Sequence, residues 1–246
     1  MPQPFSMGIA GLTAGIFPAH EYLYSLCADY IVDVPPTCTD LTAISSPEDI
    51  ADIQKTLPVL SDGQAESLSI QRQLADQLPL FEAFVFHGAA IEYDGKAYLF
   101  TAPSGTGKST HIRLWRTYLG EAVNIVNGDK PILRLSDDGV NVCSAPWAGK
   151  EQWQRNCIVP LGGICLLRRG RENRIASVNP ADYLSELVSQ TYVPKNGNLF
   201  ADTLTLLDRV CDRVPFYVLD CDISETAVQT AFEAMTGKRY EECAVK

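Results

Sequence analysis

Apolar positions change their spacing several times along the chain, and each change marks an element. Behind a start at Ser61–Glu66, residues Leu68, Leu74 and Leu78, with Ile70 nearby, recur at helical spacing, and Pro79 ends the segment. The chain before it is acidic and broken at Pro35-Pro36, Ser45-Ser46-Pro47 and Ser61-Asp62-Gly63, so this is the one clear helix of the first 80 residues, among short strand-like runs such as Tyr30–Val34. Beyond it the pattern turns strand-like. Phe84–Phe86 and Ala97–Thr101 are apolar runs flanking Tyr93-Asp94-Gly95-Lys96, whose Asp-Gly predicts a tight hairpin that leads directly into Ala102–Thr110.

A helix is predicted over Thr110–Leu119, with Ile112, Leu114 and Trp115 as its inner face and Gly120 as its stop. Ala122–Val126 reads as a strand and Asn127-Gly128-Asp129 as a turn, and Ile132–Leu135 pairs with Val140–Cys143 across Asp138-Gly139. A further hairpin is expected between Ile158–Arg168 and Arg174–Val178. Helices follow at Pro180–Thr191 behind Asn179, at about Phe200–Val210 and at Ser224–Met235 before Gly237, with a strand at Pro215–Leu219. The expectation is an α/β fold with a mixed, partly antiparallel sheet flanked by helices.

Composition narrows the function classes. The 246 residues are 46% apolar and 20% charged, as in an ordinary globular protein, and no linker-like tract divides them. One compact unit with two regions is expected: residues 1–80 as an N-terminal α/β subdomain that can cover a substrate, and residues 81–246 as the core. A formal charge of −10 opposes nucleic-acid and anionic-membrane partners. No lysine or arginine precedes Lys55, so the apolar stretch Met7–Phe17 lacks the positive start of a secretory leader, and a cytoplasmic location is expected. The eight cysteines include no CxxC and the chain has 3 histidines, so reduced thiols rather than a structural zinc are expected.

Candidate chemistry gathers in Ala102-Pro103-Ser104-Gly105-Thr106-Gly107-Lys108-Ser109-Thr110, which lies between a predicted strand and a predicted helix. Glycines at 105 and 107 let backbone N–H groups converge on phosphate oxygens, and the helix start adds partial positive charge. Lys108 can reach the β- and γ-phosphates, and the Ser109 hydroxyl can meet Mg²⁺. The strict pattern has glycine where this chain has Ala102. Phosphoryl transfer also needs a carboxylate beside the loop. Asp129 is the candidate, because it follows the strand after the loop helix; the alternative is that it only caps the Asn-Gly turn. His87, in Phe86-His87-Gly88-Ala89-Ala90, is a second candidate by its nearness in sequence to the loop, against a purely structural role.

These residues are similar to a known group. His87-Gly88-Ala89-Ala90-Ile91, the short hairpin and Leu99–Ser109 resemble the HPr serine kinase/phosphorylase catalytic domain, and the Ser-Gly-Thr-Gly-Lys core resembles ATP-dependent phosphoenolpyruvate carboxykinase. The resemblance covers about residues 84–170 and implies a P-loop fold on a mixed sheet. It further implies that Ser104–Thr110 bind ATP phosphates, that Ser109 and Asp129 hold Mg²⁺, and that His87 approaches the transferred phosphate. Where those families place adjacent aspartates, this chain has Gly128-Asp129. The chain is much shorter than a carboxykinase and lacks its Lys–His metal set, so a carboxykinase-type lyase is disfavoured.

Two features bear on the substrate side. Ala145–Glu151 offers a turn with one aromatic and one cation, and small HPr-kinase-like proteins carry a comparable Pro-Trp-x-Gly-Lys segment, which implies substrate contact for Trp147 and Lys150; the alternative is a tryptophan-anchored surface loop. Arg168, Arg169, Arg171 and Arg174 form the one dense basic cluster; because they straddle a hairpin turn they are expected at a solvated tip, the alternative being that they bind phosphate or an acidic partner. The leading expectation is an ATP- and Mg²⁺-dependent kinase acting on a hydroxyl of a small molecule or of a peptide or protein serine. The alternative, to which Gly128 points, is a nucleotide-binding sensor without acceptor chemistry. The kinase family assembles into hexamers, so the resemblance also implies a homo-oligomer.

Overall fold

A computed structural model describes residues 2–244. Phe5–Ile9 (β1) and Leu12–Phe17 (β2) form an antiparallel hairpin across Ala10-Gly11, whose φ values of 53° and 71° are the left-handed pair such a turn requires. After Tyr22–Cys27 (α1), Ile31–Val32 (β3) pairs with β1, so the strand expected over Tyr30–Val34 is only 2 residues long. Leu41–Ile44 (β4) then pairs parallel to β2, completing a four-stranded sheet. Ser45-Ser46-Pro47 does not simply break the chain. Ser46 accepts from the Asp49 N–H and Pro47 opens Pro47–Thr56 (α2), since proline at a first helical position gives up no hydrogen bond. Asp62–Gln77 (α3) begins at a capping box of Ser61 and Gln64, and a 3₁₀ turn over Leu78–Phe81 carries Pro79.

The remaining strands are Ala83–Val85 (β5), Ala89–Tyr93 (β6), Lys96–Thr101 (β7), Val123–Asn127 (β8), Ile132–Ser136 (β9), Gly139–Cys143 (β10), Ile158–Arg169 (β11), Arg174–Ser177 (β12) and Phe216–Cys221 (β13). Between them lie Lys108–Leu119 (α4), Leu184–Gln190 (α5), Gly197–Arg213 (α6) and Glu225–Thr236 (α7). The strands form one mixed sheet in the order β5-β9-β10-β11-β7-β6-β8, with β13 also on β11 and β12 on β13. The Asp94-Gly95 hairpin joins β6 to β7, so Phe84–Phe86 is not its first strand; β5 pairs with β9 instead. The hairpin expected between β11 and β12 does not form either. β13 runs between them, parallel to β11 and antiparallel to β12. Burial explains the choice: Phe216, Val218 and Leu219 of β13 are buried, whereas Arg174, Ala176 and Ser177 of β12 are exposed and suit an edge.

Both faces of this sheet are covered. Leu187 of α5 and Leu206, Leu207 and Val210 of α6 pack on one face. Ile112, Trp115 and Leu119 of α4 pack with Val228, Ala231 and Phe232 of α7 on the other. The small sheet and α3 form a third cluster that continues into Val85, Ile132, Cys143 and Trp147, so the first 80 residues share a core with the larger sheet. No helix among the described residues is long and apolar enough to cross a membrane, and all eight cysteines are free thiols.

Strand direction positions the site. β11 and β13 run parallel to β7, and β8 runs with β7 because both are antiparallel to β6. The ends of β7, β8, β11 and β13 and the start of β6 therefore meet at one edge of the sheet.

Candidate functional site

At that edge β7 passes through Ala102–Gly107 into α4, which starts at Lys108. Gly105 and Gly107 have φ of +79° and +128°, a region L side chains rarely adopt, while a Cβ at either would meet nothing within 4 Å. Glycine is needed here for backbone shape, not for space. No side chain caps the helix start, so its first N–H groups are open to an anion. Arg169, at the end of β11, donates to the carbonyl oxygens of Gly105 and Thr106 and braces the loop from behind. The arginine cluster is thus divided: Arg168 pairs with Glu186 at 3.6 Å and lies over the Tyr183 ring, Arg174 pairs with Glu172, and Arg169 reaches the loop.

Lys108 is 7% exposed, and its Nζ donates to the Ala102 carbonyl at 2.8 Å. Burial lowers its pKa, and the charge of Asp129 counteracts in part. Asp129 follows β8 and is set by Asn127, whose buried Oδ1 accepts from the N–H groups of Asp129 and Lys130 at 3.0 and 2.8 Å. The turn is therefore capped by Asn127, which leaves the Asp129 carboxylate to meet His87 Nε2 at 3.4 Å. Burial works to raise the Asp129 pKa, but the hydrogen bond from His87 and the charges of Lys130, His87 and Lys108 outweigh it, holding the carboxyl below its ordinary value. His87 is held in turn. Its Nδ1 lies 2.6 Å from Gln190 Oε1 and its backbone N–H donates to the Gln190 carbonyl at 2.7 Å.

One cavity of about 470 Å³ brings together His87, Ser104, Gly105, Gly107, Lys108, Ser109, Thr110, Asp129 and Lys150 of the expected residues. Thr106 faces neighbouring cavities beside Arg169. Trp147 is a correction. It is 8% exposed, in the core below α3, and its indole N–H donates to Ser67 Oγ at 3.0 Å, so it anchors the 145–151 segment instead of lining the cleft. The segment it anchors passes over Gly128, whose N–H donates to the Trp153 carbonyl at 2.9 Å; a Cβ at Gly128 would lie 3.0 Å from the Ala148 oxygen. Close backbone approach accounts for glycine there. Arg169, Gln190 and Asn127 were not among the expected site residues. The Asn-Gly turn held a signal for Asn127, whereas Arg169 and Gln190 act across sequence separations of 63 and 103 residues that no local pattern reveals.

Chemically, the edge offers an anion-binding loop, a buried cation and a carboxylate–imidazole pair in one cavity. Among the described residues no three His, Cys, Asp or Glu side chains group as a metal site. No protein-family model and no curated protein sequence matches this chain. Among solved structures, the HPr(Ser) kinase/phosphatase from Coxiella burnetii aligns over 64% of this chain and 94% of its own length, at 12% identity and a TM-score of 0.35.

Proposed function

We propose that the protein is an ATP- and Mg²⁺-dependent kinase that transfers a phosphoryl group to a hydroxyl. The observation that carries this reading is the single cavity in which the glycine loop, Lys108 and the His87–Asp129 pair meet. The loop amides and Lys108 bind and orient the β- and γ-phosphates. Ser109 and Asp129 would hold Mg²⁺. One carboxylate and one hydroxyl suit an ion that keeps waters and takes phosphate oxygens as its other ligands, as magnesium does. The metal supplies charge neutralisation when bound. The Asp129–His87 pair takes the acceptor's proton, with the Asp129 carboxylate kept ionised by His87, Lys130 and Lys108. Lys150, exposed on the rim, steadies the phosphates or an acidic acceptor.

The test is phosphorus NMR of the protein with Mg-ATP and a fractionated cell extract containing both metabolites and small peptides, with Asp129→Asn as control. A new phosphomonoester signal that is absent in the control is expected. ATP that binds yet stays intact with every fraction would overturn the kinase in favour of a nucleotide sensor.

A further inference from the structure

His87 belongs to two cavities. Besides the loop cleft it lines a second, of about 360 Å³, walled by α3 and by the 189–192 segment. In a chain of net charge −10, this cavity contains the cations Arg72 and Lys130 and no carboxylate. Lys130 is held only loosely, at 3.4 Å from Gln71 Oε1. The nearest acid on α3, Asp76, accepts from the Tyr192 hydroxyl at 3.0 Å and does not line the cavity. Leu68, Ala75 and Val85 supply an apolar wall. The volume is that of a small-molecule site, well below what a folded partner needs.

We infer that this second cavity is the acceptor site and that the acceptor is a small hydroxy acid, its carboxylate on Arg72 and Lys130, its short apolar body on Leu68, Ala75 and Val85, and its hydroxyl at His87. The inference rests on the kinase reading above. His87 lines both cavities, so a hydroxyl placed at its ring from this side lies beside the cleft that holds Lys108 and Asp129. In the transfer, the hydroxyl oxygen forms a bond to the γ-phosphorus as the bond from that phosphorus to the bridging oxygen breaks. The leaving ADP takes that electron pair, and the hydroxyl proton passes to the Asp129–His87 pair. Two guanidinium or ammonium partners for one carboxylate set the selectivity, because a neutral ester leaves both cations without a counter-charge.

The experiment has two independent arms on the full chain. Calorimetry measures Mg-ATP binding. Saturation-transfer NMR without nucleotide measures binding of 3-hydroxypropanoate, 3-hydroxybutyrate and 4-hydroxybutyrate, of their methyl esters, and of a serine-containing peptide amide. The expected result is that at least one acid binds and its ester does not. Arg72→Gln and Lys130→Gln should each weaken that acid by about ten- to a hundredfold, and Arg72→Gln should leave ATP affinity unchanged. Esters that bind as well as acids, acid binding indifferent to both substitutions, a panel in which no acid binds, or preference for the peptide amide would each overturn the inference and leave the kinase reading intact. Absence of ATP binding would overturn the kinase reading itself, and with it the acceptor role.

Discussion

The two walls of the cleft are made in opposite ways. The loop wall is local: Ser104–Thr110 is one stretch of chain whose shape is set by positive φ at Gly105 and Gly107 and by the helix that follows. The facing wall is assembled, with His87 from just before β6, Asp129 from the turn after β8, Lys150 from the 145–151 segment and Gln190 from the end of α5. A local wall can lose a side chain without losing its backbone. An assembled wall depends on packing between distant segments, so damage to its function also registers as damage to the fold.

The largest effect that sharpens this contrast is expected on the loop wall. Lys108→Met keeps the length and the apolar stem but removes the charge, so phosphoryl transfer should fall by about a thousandfold or more. Stability should move by only about 1 kcal/mol, since one hydrogen bond to the Ala102 carbonyl is lost and a desolvated ammonium is relieved. Full transfer activity in this variant would break the assignment, and a large fall in its urea midpoint would break the contrast.

The same division decides what could be read from the chain. The loop wall was legible because glycine spacing, lysine and serine are contiguous, and α3 and α7 because Ser61 and Gly237 punctuate them locally. The first hairpin was not, because Ala10 takes a left-handed φ that alanine does not advertise. The position of β13 between β11 and β12 depends on strand pairings whose partners are separated by some fifty residues, and periodicity is blind to these. The Pro-Trp-x-Gly-Lys resemblance implies a cleft position for Trp147, whereas its indole hydrogen bond to Ser67 on α3 holds it inward. Asp129 and His87 are legible as candidates and the Asn-Gly turn hints at the Asn127 cap, but the Gln190 brace comes only from the fold.

On the assembled wall, Gln190→Leu tests whether function and fold fall together. It removes, at a residue itself 7% exposed, the Oε1 partner of the half-buried His87 Nδ1. A loss of about 1–3 kcal/mol in unfolding free energy is expected together with a fall of about ten- to a hundredfold in turnover, because the imidazole is no longer held toward Asp129. Denaturant midpoints and turnover measured on one preparation check this. A variant impaired in turnover with wild-type stability would show that the facing wall is as local as the loop.

Beneath the loop wall, α4 carries a titratable group that links the loop helix to the core. His111 is 3% exposed, its Nε2 accepts the Trp115 indole N–H at 3.0 Å, and its Nδ1 has no partner. Burial lowers its pKa from 6.5 to about 3. Because the folded value is depressed, its share of stability is present above pH 6.5 and is lost as pH falls toward 3, at up to about 1.4 kcal/mol per unit. Relative to His111→Leu, the metal-free wild type should lose about 2–3 kcal/mol between pH 7 and 4.5. Parallel stability curves for the two proteins in acid would mean that the ring takes up a proton without unfolding the helix.

The smallest expected effect concerns Arg169, where an assembled contact supports the local wall. Its guanidinium donates to the Gly105 and Thr106 carbonyls, on the loop backbone that would turn its N–H groups toward phosphate. Those bonds are exposed to solvent, so Arg169→Ala should leave stability within about 0.5 kcal/mol of wild type. The loop must then be ordered by the ligand instead of by the protein, and that cost falls on binding: ATP affinity should drop by about three- to tenfold while turnover at saturating ATP is kept. A fall in turnover with unchanged affinity would instead place Arg169 on the transferring phosphate, and the loop wall would then also depend on a residue from a distant strand.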